Sequence, residues 1–320
     1  MKAGDEKESL TLSVAERYDA AQGVVVLELM RSDGCDLPAW TPGAHIELFL
    51  KPGLTRQYSL CGDPADLTRW RVAVLREPEG RGGSAYVHEK VEKGAALGVS
   101  GPRNHFELKA SPRYIFIAGG IGITPILPML GSDLVRNAEW ELYYGGRSLR
   151  SMAFRRELLT DFGDRVHLNP QDQAGVLDLG SILSSPRSNT LVYCCGPSGL
   201  LDAVELRCRT WPEETLHVER FQPRDSANLN QGGDFEVELS RTGAVIVVRD
   251  GQTVLEAVRN AGVLVPSSCE EGTCGTCEVP VLEGEVDHRD SILTAEEQAA
   301  NDTMLICVSR AACPRLVLDL

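Results

Sequence analysis

The chain has 320 residues, too many for one ordinary hydrophobic core, and a composition that suits two or three globular domains. Its formal charge of −14 argues against nucleic acid as a partner. The stretch poorest in charge, Tyr114 to Leu130, is punctuated by glycine and proline and reads as a buried strand and turn, not a membrane span.

Residues 1–110 alternate apolar and polar with a period of two and frequent turn signals. Gly23 to Met30, Ala44 to Leu50 and Trp70 to Arg76 read as strands, broken by Pro42-Gly43, Pro52-Gly53 and Asp63-Pro64, which predicts an antiparallel β-barrel. Ala85 to Val91 reads as a short helix. Arg56-Gln-Tyr58-Ser59-Leu60 lies on the strand after Gly53. An arginine beside an aromatic ring and a hydroxyl suits a flavin, with guanidinium on phosphate and ring against isoalloxazine. Gly80-Arg-Gly82-Gly83-Ser84 follows, ahead of the helix, and glycine-rich backbone at a helix start offers N–H groups to a phosphate. A hairpin turn is the plain alternative for those glycines.

The pattern changes near Arg113. Tyr-Ile-Phe-Ile-Ala (114–118) is a continuous apolar run, as in a buried parallel strand. Gly119-Gly120-Ile-Gly122-Ile-Thr124-Pro125 then opens an apolar helix over Ile126 to Leu134, a setting for pyrophosphate at a helix N-terminus. Further strands are read at Glu141 to Tyr144, Arg165 to Leu168 and Thr190 to Cys194, with helix between them, including Arg150 to Phe162. Such alternation predicts a parallel α/β sheet over 111–224. Cys194-Cys195-Gly196-Pro197 ends the last strand, where open α/β sheets bind ligands. Cys195 is a candidate neighbour of a reacting nicotinamide. A small packing residue is its alternative, and the one assigned to Cys35, Cys61 and Cys208. Arg147, Ser148, Arg150, Arg155 and Arg156 offer a place for a ribose 2′-phosphate, or simply face solvent.

Gln222 to Asp234 is polar and rich in glycine and asparagine, and 225–234 reads as a linker. Phe235 to Leu239 and Ala244 to Val248 then read as a strand pair, and Val254 to Asn260 as a short helix. Next comes Cys269-Glu-Glu-Gly-Thr-Cys274-Gly-Thr-Cys277, with Cys307 far downstream. This is the C-x4-C-x2-C…C spacing of a plant-type [2Fe–2S] centre. Structural zinc sites usually draw ligands from two short pairs, and only one is present. Gly272 and Gly275 let the loop close around an inorganic core. The first ten residues lack the apolar core of a secretory signal, so the ten cysteines are expected as thiols in a reducing cytoplasm. Residues 235–320 carry 15 acids and 6 bases, so the acidity concentrates with the cluster segment.

These motifs, in this order, resemble those of phthalate dioxygenase reductase and the vanillate O-demethylase reductases, the class IA reductases of Rieske oxygenase systems within the ferredoxin–NADP⁺ reductase superfamily. The resemblance spans essentially the whole chain. It implies an FMN-binding antiparallel barrel, an NAD-binding parallel α/β domain and a C-terminal α+β (β-grasp) ferredoxin domain. It implies that Arg56, Tyr58 and Ser59 bind FMN, that Gly82, Gly83 and Ser84 cradle its phosphate, and that backbone at Ala73, Val74 and Leu75 lines the flavin edge. Gly119, Gly120, Gly122, Thr124, Pro125, Cys195, Gly196 and Pro197 are implied around NADH, with Thr124, Cys195 and Phe221 closest to the hydride transfer. Phe221 is implied to shield the isoalloxazine; interdomain packing is its alternative. Cys269, Cys274, Cys277 and Cys307 are implied as the cluster ligands.

The implied activity is NADH oxidation by FMN, followed by single-electron delivery through the cluster to a Rieske-type terminal oxygenase. The implied protein is a cytoplasmic monomer with no membrane or nucleic-acid partner. A stand-alone NADH oxidoreductase acting on quinones or ferric chelates is the alternative, and a cluster-based redox sensor a third.

Overall fold

The computed structural model describes residues 9–223 and 232–320. The chain forms two compact units, Met1–Glu219 and Arg220–Leu320. No helix among the described residues is long and apolar enough to cross a membrane. Residues 225–231 of the expected linker lie outside the described residues.

The first unit opens with β1 (Leu10–Ala21), β2 (Val24–Arg31), β3 (His45–Lys51), β4 (Leu54–Ser59), β5 (Trp70–Leu75), helix α1 (Gly83–Lys90) and β6 (Ala96–Arg103). The strands pair antiparallel in the order β4-β3-β6-β1-β2-β5. An antiparallel bridge between Leu60 and Val72 joins the two ends and closes the barrel. Alternation supplies the interior: Leu12, Val14, Leu27, Leu29, Ile46, Leu48, Trp70 and Val72 are buried together. Gly23 and Gly53 turn the hairpins with φ of +76° and +75°, a region that favours glycine.

The second part of this unit contains β7 (Arg113–Gly119), α2 (Ile123–Leu130), α3 (Asp133–Arg136), β8 (Glu139–Gly146), α4 (Arg155–Phe162), β9 (Val166–Pro170), α5 (Gln171–Ala174), α6 (Leu179–Ile182), β10 (Thr190–Cys195), α7 (Ser198–Cys208) and β11 (Leu216–Glu219). These strands are parallel, in the order β11-β10-β7-β8-β9. Both faces are covered. One packs on Leu179, Ile182, Leu201, Val204 and Trp211. The other shares a single apolar cluster with barrel residues Val24, Val26, Cys61, Ala73 and Phe106. Arg71 of β5 also reaches across to Glu157 of α4 at 3.0 Å. The barrel and the parallel sheet are thus fused through a common core.

The second unit contains β12 (Phe235–Leu239), β13 (Ala244–Val248), α8 (Val254–Asn260), β14 (Glu278–Glu283), β15 (Val286–Asp287), α9 (Ala295–Ala300), β16 (Thr303–Leu305), β17 (Arg310–Ala311) and β18 (Arg315–Leu318). Five strands order as β13-β12-β18-β14-β16, with β15 and β17 as a separate pair. Helix α8 buries Val254, Leu255, Ala257 and Val258, and Thr253 with Glu256 forms its capping box. Arg310, 2% exposed, ties the unit together. It donates to the carbonyls of Gln252, Gly233 and Arg249 and lies over the Phe235 ring.

Several expectations shift. The helix expected from Ile126 to Leu134 starts earlier, at Ile123, and breaks at Gly131 into α2 and α3. The helix expected from Arg150 begins only at Arg155, because Phe154 takes a left-handed conformation with φ of +59°. Cys61 and Cys208 are buried as small packing residues, but Cys35 is exposed and packs in no core.

Candidate functional site

Three clusters of the expected residues form, two in the first unit and one in the second. On the barrel, β4 presents Arg56, Tyr58 and Ser59. Arg56 donates to the carbonyl of Thr55 at 2.7 Å and to that of Arg81 at 2.8 Å, so its guanidinium is fixed over the Gly80–Ser84 loop. A Cβ on Gly83 would stand 2.5 Å from Arg56 Cγ, so this contact requires glycine. Gly82 caps α1 in a left-handed conformation, and no side chain occupies the cap. The amides of the first turn therefore have no side-chain cap and lie beside an arginine, a donor set that suits a phosphate. Ser84 instead accepts a bond from the Glu77 amide through its Oγ at 3.0 Å. Burial pushes the Tyr58 phenol up, with Arg56 opposing. The backbone of Ala73, Val74 and Leu75 pairs with β2, and the Val74 carbonyl also meets His88 Nε2 at 2.9 Å.

The second cluster lies where the parallel strand order reverses, between β7 and β10, the usual ligand position in such sheets. The two glycine motifs lean on each other. A Cβ on Gly122 would stand 2.2 Å from the Cys195 carbonyl oxygen, and one on Gly196 would stand 2.9 Å from Gly119 Cα. Gly120 takes φ of +55° and starts the turn into α2. Thr124 is buried, and its Oγ1 donates to the Ile121 carbonyl at 2.9 Å. Pro125 is buried in α2, and Pro197 precedes α7 as its cap.

Glu219, at the end of β11, joins these two clusters and was not among the residues expected from sequence. Cys195 is fully buried, with Sγ 3.9 Å from Glu219 Oε2. Desolvation pushes the half-buried Glu219 carboxyl up to about 8, against hydrogen bonds from Ser59 and Cys195 that lower it. Burial, and then the Glu219 charge, push the Cys195 thiol well above its usual range. Ser59 on the flavin-type strand and Cys195 on the nicotinamide-type strand are therefore bridged by one carboxyl group that holds its proton near neutral pH. The only sequence signal for it is its place two residues before Phe221. Phe221 falls in the second unit and is 40% exposed.

The arginines considered for a 2′-phosphate separate. Arg147 follows β8, and its carbonyl accepts from the Asp172 amide. Arg150, Arg155 and Arg156 line a cavity with Tyr18, Ala20, Met152 and Phe154.

In the second unit the four cysteines come together. Cys274, Cys277 and Cys307 are buried, and Cys269 is half-buried. Contacts run from Cys269 to Cys274 and Cys307, and from Cys307 to Cys277. Among the described residues no three ligating side chains are poised around a single metal ion. Four thiols in one continuous run of contacts suit a shared two-iron core, which takes two thiolates per iron. The cradle fits as well. The amides of Glu271 and Thr273 donate to Cys269 Sγ at 3.3 and 3.4 Å. Gly272 and Gly275 have φ of +68° and +69°, and a Cβ on Gly272 would press on Val308 at 2.6 Å.

Known proteins align with this arrangement. The 2Fe-2S iron-sulfur cluster binding domain model matches residues 237–312. The phenoxybenzoate dioxygenase subunit beta of Ectopseudomonas oleovorans is 43% identical over 302 residues, 94% of each chain. The structure of phthalate dioxygenase reductase, described as modular for electron transfer from pyridine nucleotides to [2Fe–2S], is 36% identical with a TM-score of 0.72, over 98% of this chain and 99% of that one. An intact type IV self-sufficient cytochrome P450 monooxygenase is 44% identical with a TM-score of 0.92, over 98% of this chain, which spans only 41% of that protein. Sequence order, barrel, switch-point glycines and cysteine cradle agree with these matches: the chain belongs to the phthalate dioxygenase reductase family of NADH-dependent oxidoreductases, which work with a flavin and a [2Fe–2S] cluster.

Proposed function

We propose that this protein is the reductase of an oxygenase system, taking hydride from NADH onto FMN and passing single electrons through its [2Fe–2S] cluster to a Rieske-type terminal oxygenase. The observation that carries the reading is the Ser59–Glu219–Cys195 bridge. It brings the flavin-type strand and the nicotinamide-type strand to one point within one unit. When bound, the flavin accepts an electron pair and the cluster accepts one electron at a time; the protein positions and tunes them.

The chain's own residues divide the work. Arg56, Gly82 and Gly83 hold a terminal phosphate, which favours FMN, and Tyr58 packs along the ring system. Gly120, Gly122, Thr124 and Pro125 receive the NADH pyrophosphate, while Cys195, Gly196 and Pro197 border the nicotinamide. Glu219 keeps a proton beside Ser59. Cys269, Cys274, Cys277 and Cys307 hold the cluster. In this reading residues 1–110 form the flavin domain, 111–224 the nicotinamide domain and 235–320 the ferredoxin domain. The protein works as a monomer in the cytoplasm, and ten cysteines with no disulfide among them suit that reducing compartment.

A second reading, with a P450-type haem enzyme as acceptor, has support in the TM-score of 0.92 to the self-sufficient P450. The test is reconstitution. Holoprotein with FMN, two irons per chain and NADH should reduce a Rieske oxygenase from the same host. Faster reduction of a haem acceptor would favour the second reading. Turnover with quinones or ferric chelates alone would leave a stand-alone reductase.

A further inference from the structure

We infer that Arg259 and Glu270 set the pose of the cysteine loop and thereby raise the reduction potential of its cluster. The inference rests on reading the four cysteines as cluster ligands. Glu270 has φ of +56°, the left-handed region, where the other loop members are Gly272 and Gly275. A residue with a side chain is strained there unless its surroundings hold it. The pose has a result at the metal site. It turns the next amide inward, so that Glu271 donates to Cys269 Sγ at 3.3 Å, and with the left-handed Gly272 after it brings the Thr273 amide onto the same sulfur at 3.4 Å. Such bonds favour the more negative, reduced cluster and so raise its potential.

What holds the pose is a closed ring of side-chain bonds. Arg259, in the last turn of α8, donates through Nη1 to Glu270 Oε1 at 2.9 Å and through Nη2 to Ser267 Oγ. Ser267 Oγ donates to the same Glu270 oxygen at 2.9 Å. A lone exposed ion pair contributes little, and these two side chains are 40% and 49% exposed. Here the fork grips two loop residues from a helix whose apolar face is buried and whose start is capped. The brace therefore transmits the rigidity of α8 to the half-exposed ligand Cys269. Arg259 and Glu270 act as positioning residues, through the amides that follow.

Charge and position make opposite forecasts for Glu270→Ala. Removing a carboxylate beside the cluster raises its potential by simple electrostatics. Losing the brace while keeping the strain lowers it. We expect E270A to lower the midpoint, with the reduced fraction at a fixed poise falling about tenfold, or ~59 mV for one electron. The electron paramagnetic resonance g-values of the reduced cluster should shift as well. E270G lacks the same carboxylate but accepts the left-handed backbone freely, so its midpoint should stay at or above wild type with unshifted g-values. An E270A midpoint at or above wild type overturns the inference, as does an E270G midpoint that falls equally. If E270A loses its iron, retention by E270G supports the brace and loss from both overturns it. Wild-type protein without iron and cluster absorption bands would sink the cluster reading itself, and this inference with it.

Discussion

At the residue scale, Glu219 and the cysteines carry the chemistry that can be tested most directly. Glu219 is an acid whose folded pKa, about 8, lies above its ordinary value. Between roughly pH 4.5 and 8 the unfolded chain loses this proton while the folded chain keeps it, so the group lowers stability progressively as pH rises. Glu219→Gln, read in flavin-free protein, should flatten the fall of Tm over that window and leave Tm unchanged at pH 4. An unchanged slope would mean that the carboxyl is solvated. Cys274→Ser should abolish reduction of one-electron protein acceptors such as cytochrome c and spare NADH-to-dye activity. Loss of both with the fold intact would contradict the order in which the two redox groups act.

At the scale of elements, the decisive contact is the one between the turn after β7 and the end of β10. Gly122 has an ordinary helical backbone, so strain does not explain the glycine; space does, because a Cβ meets main chain at 2.2 Å. Gly122→Ala should cost about 2 kcal/mol in unfolding experiments, typical of overpacking, and raise KM for NADH. An NADH affinity equal to wild type would place the dinucleotide elsewhere. Elements with strong local signals were legible in the sequence: the apolar run at β7, the β12–β13 pair and α8 appear where periodicity and turn residues put them. Strands β1, β6 and β11 were not singled out. β1 mixes exposed and buried residues over 12 positions, so its pattern is weak. β11 is only four residues long and half-buried throughout. The late start of α4 depends on one left-handed phenylalanine that no propensity rule anticipates. The cysteine site was legible because spacing encodes it. Glu219 was not, because its role arises from three strands meeting in space.

At the scale of the whole molecule, charge is distributed unevenly. The 15 acids and 6 bases of residues 235–320 give the cluster-bearing unit a negative field. If that field steers a positively charged acceptor, electron delivery to the oxygenase should slow roughly tenfold as salt rises from ~0.05 to ~0.5 M, while NADH-to-dye turnover stays level. A flat profile for the protein acceptor would remove steering from the account.

The core shared by the barrel and the parallel sheet bears on how such a protein can be rearranged. Barrel side chains such as Val24, Ala73 and Phe106 complete the same apolar cluster as Phe116 and Tyr144. Cutting between the two sheets would expose both halves of that cluster, so neither should survive as an independently expressed fragment. The first 219 residues should melt in a single transition. The portable part is the entire unit, cut after Glu219, and a chimera that exchanges the electron exit should therefore retain its hydride chemistry, while one that exchanges the barrel alone should not fold.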